Sequence, residues 1–137
     1  MDGPLSPHRL VNPGGLEPPR GYSHAVVPTA GKTIYLAGQT GHRADGTLPG
    51  DHIVDQFDAA AGNVVTALAA AGARPEHLVS MQIFTTDLEG YLAASKRIGE
   101  VYRRHFGRHF AATALIGVSA LADRAKVELM CVAVIPE

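Results

Sequence analysis

The chain has 137 residues, enough for one domain whose core needs no disulfide or metal support. Hydrophobic residues make up 46% and charged residues 18%, which excludes an intrinsically disordered chain. Twelve bases against thirteen acids leave a net charge of −1, which excludes the electrostatic footprint of a protein built to bind nucleic acid or an anionic membrane. In chain order, residues 1–21 hold more than half of the nine prolines and four of the fifteen glycines, a composition that opposes regular structure and reads as an arm laid over the domain, ordered from about Val11. Residues 23–27 and 33–37 read as two strands, and Ala30-Gly31-Lys32 between them predicts a hairpin. Gly38-Gln39-Thr40-Gly41 is a glycine-flanked exit from the second strand, and Asp45-Gly46 with Pro49-Gly50 makes residues 43–51 a surface loop.

The period then changes. Phe57, Ala60, Ala61, Val64, Leu68 and Ala71 form one apolar stripe at helical spacing, with Asp51 or Asp55 as the expected cap and Gly72 at the end. Residues 79–86 read as a strand. Asp87 can cap a second helix that carries Leu88, Tyr91, Ile98 and Tyr102 on one face and ends at Gly107. Residues 112–118 and 126–135 are the last two strands. The predicted order is β-β-α-β-α-β-β, an α+β domain over residues 1–137 with both helices on one sheet face. Two helices cover one face only, so apolar residues on the other would predict an oligomer.

Several features read as structural. Arg103, Arg104 and Arg108 suit a solvated helix end. Cys131 lies in an apolar run and reads as a buried small hydrophobe. The histidines, among them His42, His52, His77, His105 and His109, show no metal-ligand spacing. No apolar run is long enough to span a membrane, and the first nine residues lack the apolar core of a secretion signal. A cytoplasmic setting is expected.

The ordered strings resemble the RidA/YjgF family. Asn12-Pro13 through Pro19-Arg20-Gly21-Tyr22-Ser23, Ile34-Tyr35-Leu36-Ala37-Gly38-Gln39-Thr40-Gly41, Gln56…Ala60…Asn63, Phe84-Thr85-Thr86-Asp87 and Val127-Glu128 occur in that family's order over residues 11–135. The resemblance implies a chorismate-mutase-like fold, a homotrimer with small-molecule pockets between neighbouring subunits, and hydrolysis of reactive imines and enamines without cofactor or metal. It implies that Glu128 positions the attacking water and that Tyr22 lies against the ligand. Gly38 and Gln39 would line the pocket with their backbone, and Phe84 would stand beside them. His24, two residues from Tyr22, shares its face and could exchange protons near neutral pH.

One departure matters. Where the deaminase pattern has an arginine for the substrate carboxylate this chain has Thr113, and Leu115 replaces the cysteine that often follows. A hydroxyl offers one donor and no charge. Arg20, beside Gly21-Tyr22, is a candidate replacement cation. The expected activity is therefore that of an enzyme acting on an imine, enamine or related reactive metabolite without the usual α-carboxylate. The alternative is a non-catalytic ligand-binding trimer.

Overall fold

Among the described residues, six strands and three α-helices follow one another as β1 (Arg9–Val11), β2 (Ala25–Val27), β3 (Gly31–Tyr35), α1 (Ile53–Ala70), β4 (Leu78–Thr85), α2 (Leu88–Ala93), α3 (Ser95–Phe106), β5 (Ala112–Gly117) and β6 (Val127–Pro136). The computed structural model describes residues 6–137, and the first five residues of the proline-rich arm lie outside the described residues. The main sheet has the order β3-β6-β4-β5, with β6 antiparallel to both its neighbours and β4 parallel to β5. Helix α1 makes the crossover from β3 to β4, and α2 with α3 makes the crossover from β4 to β5.

Alternation divides the sheet into two unlike faces. Val127, Leu129, Cys131 and Ala133 of β6 are fully buried with Met81 and Leu78 of β4 beneath the helices. The alanine-rich stripe of α1 lets it lie close: Phe57, Ala60, Ala61, Val64 and Leu68 have no exposed surface. On the opposite face Tyr35 is 80% exposed and Met130 41%, so this side of the sheet is apolar and uncovered in the single chain. Burial pushes the Cys131 thiol up to about 12, as suits a small core hydrophobe.

Four expectations are corrected. The predicted hairpin does not form: β2 pairs with β1, Leu10 opposite Val26, while β3 pairs with the last strand, Ile34 opposite Ala133. Gly31 begins β3 instead of closing a turn, and a side chain there would strike the Ile135 backbone. The arm thus holds a strand despite its prolines, because Arg9–Val11 lies in the proline-free interval between Pro7 and Pro13, where every residue keeps its N–H. The second helix is two helices, broken at Ala94, where an i→i+3 bond to the Tyr91 carbonyl tightens the turn before α3 begins. The cap of α1 is His52, whose Nδ1 accepts the Val54 N–H at 3.2 Å, instead of Asp51 or Asp55. Asp87 caps α2 by accepting the Gly90 N–H at 2.9 Å, and Gly107 ends α3 at φ 68°.

Candidate functional site

Glu128 stands one residue into β6, on the uncovered face, opposite Phe84 of β4. Phe84 in turn pairs with Ile116 of β5, so Glu128, Phe84 and Ile116 form one row across the sheet. After β3 the chain bulges and pairs again with β6, Gln39 and Leu129 exchanging bonds of 2.7 and 2.8 Å. The bulge brings Gly38 beneath the Glu128 carboxylate. A methyl group on Gly38 would overlap Oε2, so glycine is what makes room for the acid. Among the described residues no ion pair forms at Glu128. Its half-buried carboxylate lies over Gly38, with no cation at ion-pair distance among the described residues.

Thr113 belongs to the other side, and Tyr22 and His24 stand beside the β5 edge. Ser23 is buried and bridges β5 at Ala112, with its Oγ donating to the Phe110 carbonyl at 2.6 Å. Tyr22 and His24 flank it, their rings 5.2 Å apart and edge to face. Thr113, one residue past Ala112, shares the row of Met81 and Cys131 and so faces the helix side at the sheet edge. Its hydroxyl donates to the Ala111 carbonyl at 2.8 Å, and its neighbour on that face, Leu115, is 37% exposed. His24 has its Nε2 on the Glu17 carbonyl at 2.7 Å, and its N–H donates to Asn12 Oδ1 at 2.8 Å. That ring is fixed to the arm, and only Nδ1 remains for chemistry. Arg20 is exposed.

The expected site residues thus fall into two groups. Gly38, Gln39, Phe84 and Glu128 come together around the β3 exit, and Tyr22, His24, Thr113 and Leu115 gather at the β5 edge. Ile116, in the Glu128 row, was not singled out by sequence; only strand pairing brings it there. A separate polar cleft of about 460 Å³ is lined by His42, Thr47, Leu48, Asp51, Asp123 and Arg124 and takes in none of the expected residues. Asn63 holds its near wall, donating to the carbonyls of Thr40 and His42 at 2.8 and 3.0 Å.

A four-stranded split β-α-β sheet with helices on one face, an apolar opposite face and an acid seated over a glycine bulge defines a small α+β protein of the Rid class, with a chorismate-mutase-like fold. A family model described as endoribonuclease L-PSP matches residues 15–135, and the chain belongs to this RidA/YjgF family. It is 37% identical over 114 residues to Protein DfrA of Myxococcus xanthus, covering 82% of this chain and 84% of that one. It is 31% identical over 134 residues to a 2-iminobutanoate/2-iminopropanoate deaminase of Dermatophagoides farinae, covering 96% and 99%. Among solved structures it superposes on YyfB of Yersinia pestis, a Rid-family protein of unknown function, with a TM-score of 0.79 at 31% identity over 93% of this chain and 98% of that one. No helix among the described residues is long and apolar enough to cross a membrane.

Proposed function

We propose that the chain is a RidA-like enzyme that hydrolyses an imine, or an enamine after its tautomerisation, at pockets between copies of itself. The observation that carries this reading is the Glu128 carboxylate over Gly38, which forms no ion pair among the described residues. A carboxylate free of a cation can take a proton from water as the water oxygen bonds to the C=N carbon. The C=N π pair moves to nitrogen, which takes up a proton, and the carbinolamine collapses to a carbonyl compound and ammonia. No cofactor enters this balance. The similarity to a mite imine deaminase over nearly the whole chain supports the same chemistry.

Thr113 and Leu115 face the opposite side of the sheet from Phe84 and Glu128, so one chain cannot close a pocket around both pairs. A homotrimer in which the β5 edge of one copy meets the uncovered face of the next would unite Tyr22 and Thr113 with Glu128. Exposed Tyr35 and Met130 give that face reason to associate. With Thr113 in place of a guanidinium, the preferred substrates lack an α-carboxylate, and 2-aminoacrylate is a poor one.

The test is ammonia release from imines generated in situ by an amine or amino-acid oxidase. Turnover of a carboxylate-free imine supports the proposal. The committed Thr113 hydroxyl favours the second reading, a ligand-binding trimer without catalysis. Inertness toward every imine, combined with a metabolite that raises Tm, would establish that reading instead.

A further inference from the structure

Three histidines that the site does not use are buried together where the arm meets the body: His8 is 6% exposed, His77 8% and His109 5%. They surround three consecutive carbonyls at the entrance to β4. Ser6 Oγ donates to the Glu76 carbonyl at 2.7 Å, His8 Nε2 to the His77 carbonyl at 3.0 Å, and His109 Nε2 to the Leu78 carbonyl at 2.7 Å. On His8 and His77, Nδ1 serves as an acceptor. Thr29 N–H donates to His8 Nδ1 at 3.2 Å, which closes residues 8–29 into a loop, and Arg74 N–H donates to His77 Nδ1 at 3.0 Å, which holds the turn presenting the carbonyls. A ring whose Nδ1 accepts a backbone N–H must be neutral, because a protonated ring has only donors.

We infer that this cluster is an acid-sensitive latch, which holds the arm, with Tyr22 and His24, against the domain at neutral pH and releases it when His77 and His109 take up protons. A protonated His77 loses the Arg74 bond, the turn at residues 74–77 relaxes, and the carbonyls that Ser6 and His8 grip move away. A second proton on His109 places like charge beside it in a dry site. Among the described residues, Glu76, Arg74 and Tyr102 face the three rings from the elements packed around them. Glu76 attracts the protonated rings, but its carboxylate is paired with Arg74 at 3.2 Å, and Arg74 opposes protonation of His77. Tyr102 faces His109 from α3 and donates its hydroxyl to the His109 carbonyl at 2.6 Å.

Burial is the largest cause holding both His77 and His109 below the usual 6.5. Their folded-state values are depressed, so the docked arm binds fewer protons than the released arm. Docking is then at full strength above 6.5 and weakens as pH falls below it. The anchor at Ser23 contains no titratable group, so release pivots there and displaces Tyr22 and His24 without unfolding the sheet.

The latch is tested by hydrogen exchange on the intact native protein, with amides of β1 and β2 read against those of β6. Between about pH 7.5 and about pH 5.0, protection of Leu10 and Val26 is expected to fall by about tenfold or more relative to Leu129 and Cys131, after correction for intrinsic rates. His77→Asn keeps the acceptor and His109→Gln keeps the donor, and neither titrates, so the double variant is expected to lose less arm protection than the native protein over the same interval. Arm protection that holds to the acid limit would overturn the inference. So would loss in step with β6, or an unchanged pH response in the double variant. Should that variant fail to fold, the ring resonances of native His77 and His109 decide: midpoints below 6.5 that track arm opening support the latch, and any other pattern refutes it.

Discussion

Thr113 and Glu128 stand on opposite faces of the same sheet, Thr113 in the row of Met81 and Cys131 and Glu128 in the row of Phe84 and Ile116. A site that needs both is therefore completed by a second copy. Mixing two variants tests this. Glu128→Gln and Tyr22→Ala are each expected to be nearly inactive alone. When the two are refolded together, roughly one quarter of interfaces regain both native groups, and activity returns to about that share. Mixtures as inactive as their parents would show that the site lies within one chain.

Restoring a cation at the β5 edge is expected to change the preferred substrate. Thr113→Arg should raise kcat/KM for carboxylate-bearing imines by about thirtyfold to several thousandfold, corresponding to the roughly 2–5 kcal/mol carried by a buried charge-assisted contact. Imines without a carboxylate should gain nothing. The measurement is ammonia release from paired substrates that differ only in that group.

Gly38 acts through its lack of a side chain. Gly38→Ala forces the Glu128 carboxylate aside, because the new methyl overlaps Oε2. The expected result is a loss of kcat of about tenfold or more with little change in KM, since the acid is displaced while the ligand walls remain. Gly38 is not at positive φ, so the variant should fold, and an unchanged circular dichroism spectrum checks that.

The outer helices are pinned by Asp58, which accepts from His105 Nε2 at 2.6 Å and pairs with Arg104 at 3.0 Å. The His105 bond, and after it Arg104, holds the Asp58 carboxyl below the usual 3.8. A depressed carboxyl stabilises the fold above its unfolded value, and that share is lost as pH falls through the folded value. Because Asp58 is 43% exposed, solvent screening keeps the contribution small, under about 1 kcal/mol. Asp58→Asn should lower Tm by a few degrees at pH 7 and by progressively less as pH falls below 3.8, as calorimetry over that range would show.

Local chemistry was legible in the sequence where a residue decides its own surroundings. The α1 stripe, the Asp87 cap, the Gly72 and Gly107 stops and the buried Cys131 all follow from spacing or side-chain type. Strand pairing was not, because β propensity marks a strand without naming its partner. The turn-like Ala30-Gly31-Lys32 therefore suggested a hairpin, whereas the edge of β6 captures β3 over five pairs. The same gap explains the divided site. Tyr22, Thr113 and Glu128 could each be picked out by motif, but which face each occupies depends on register, and a shift of one residue would invert it. The buried histidines were legible only as dispersed residues, since His8 and His109 meet through a fold that brings residues 101 positions apart to one strand entrance.

The most direct test of the central claim is the rate of ammonia release from a carboxylate-free imine by the native protein and by Glu128→Gln. The substitution preserves shape and removes the proton acceptor. The account predicts turnover by the native chain and a fall of about a hundredfold or more in kcat with Tm unchanged. A Glu128→Gln protein that releases ammonia as fast as its parent would contradict it.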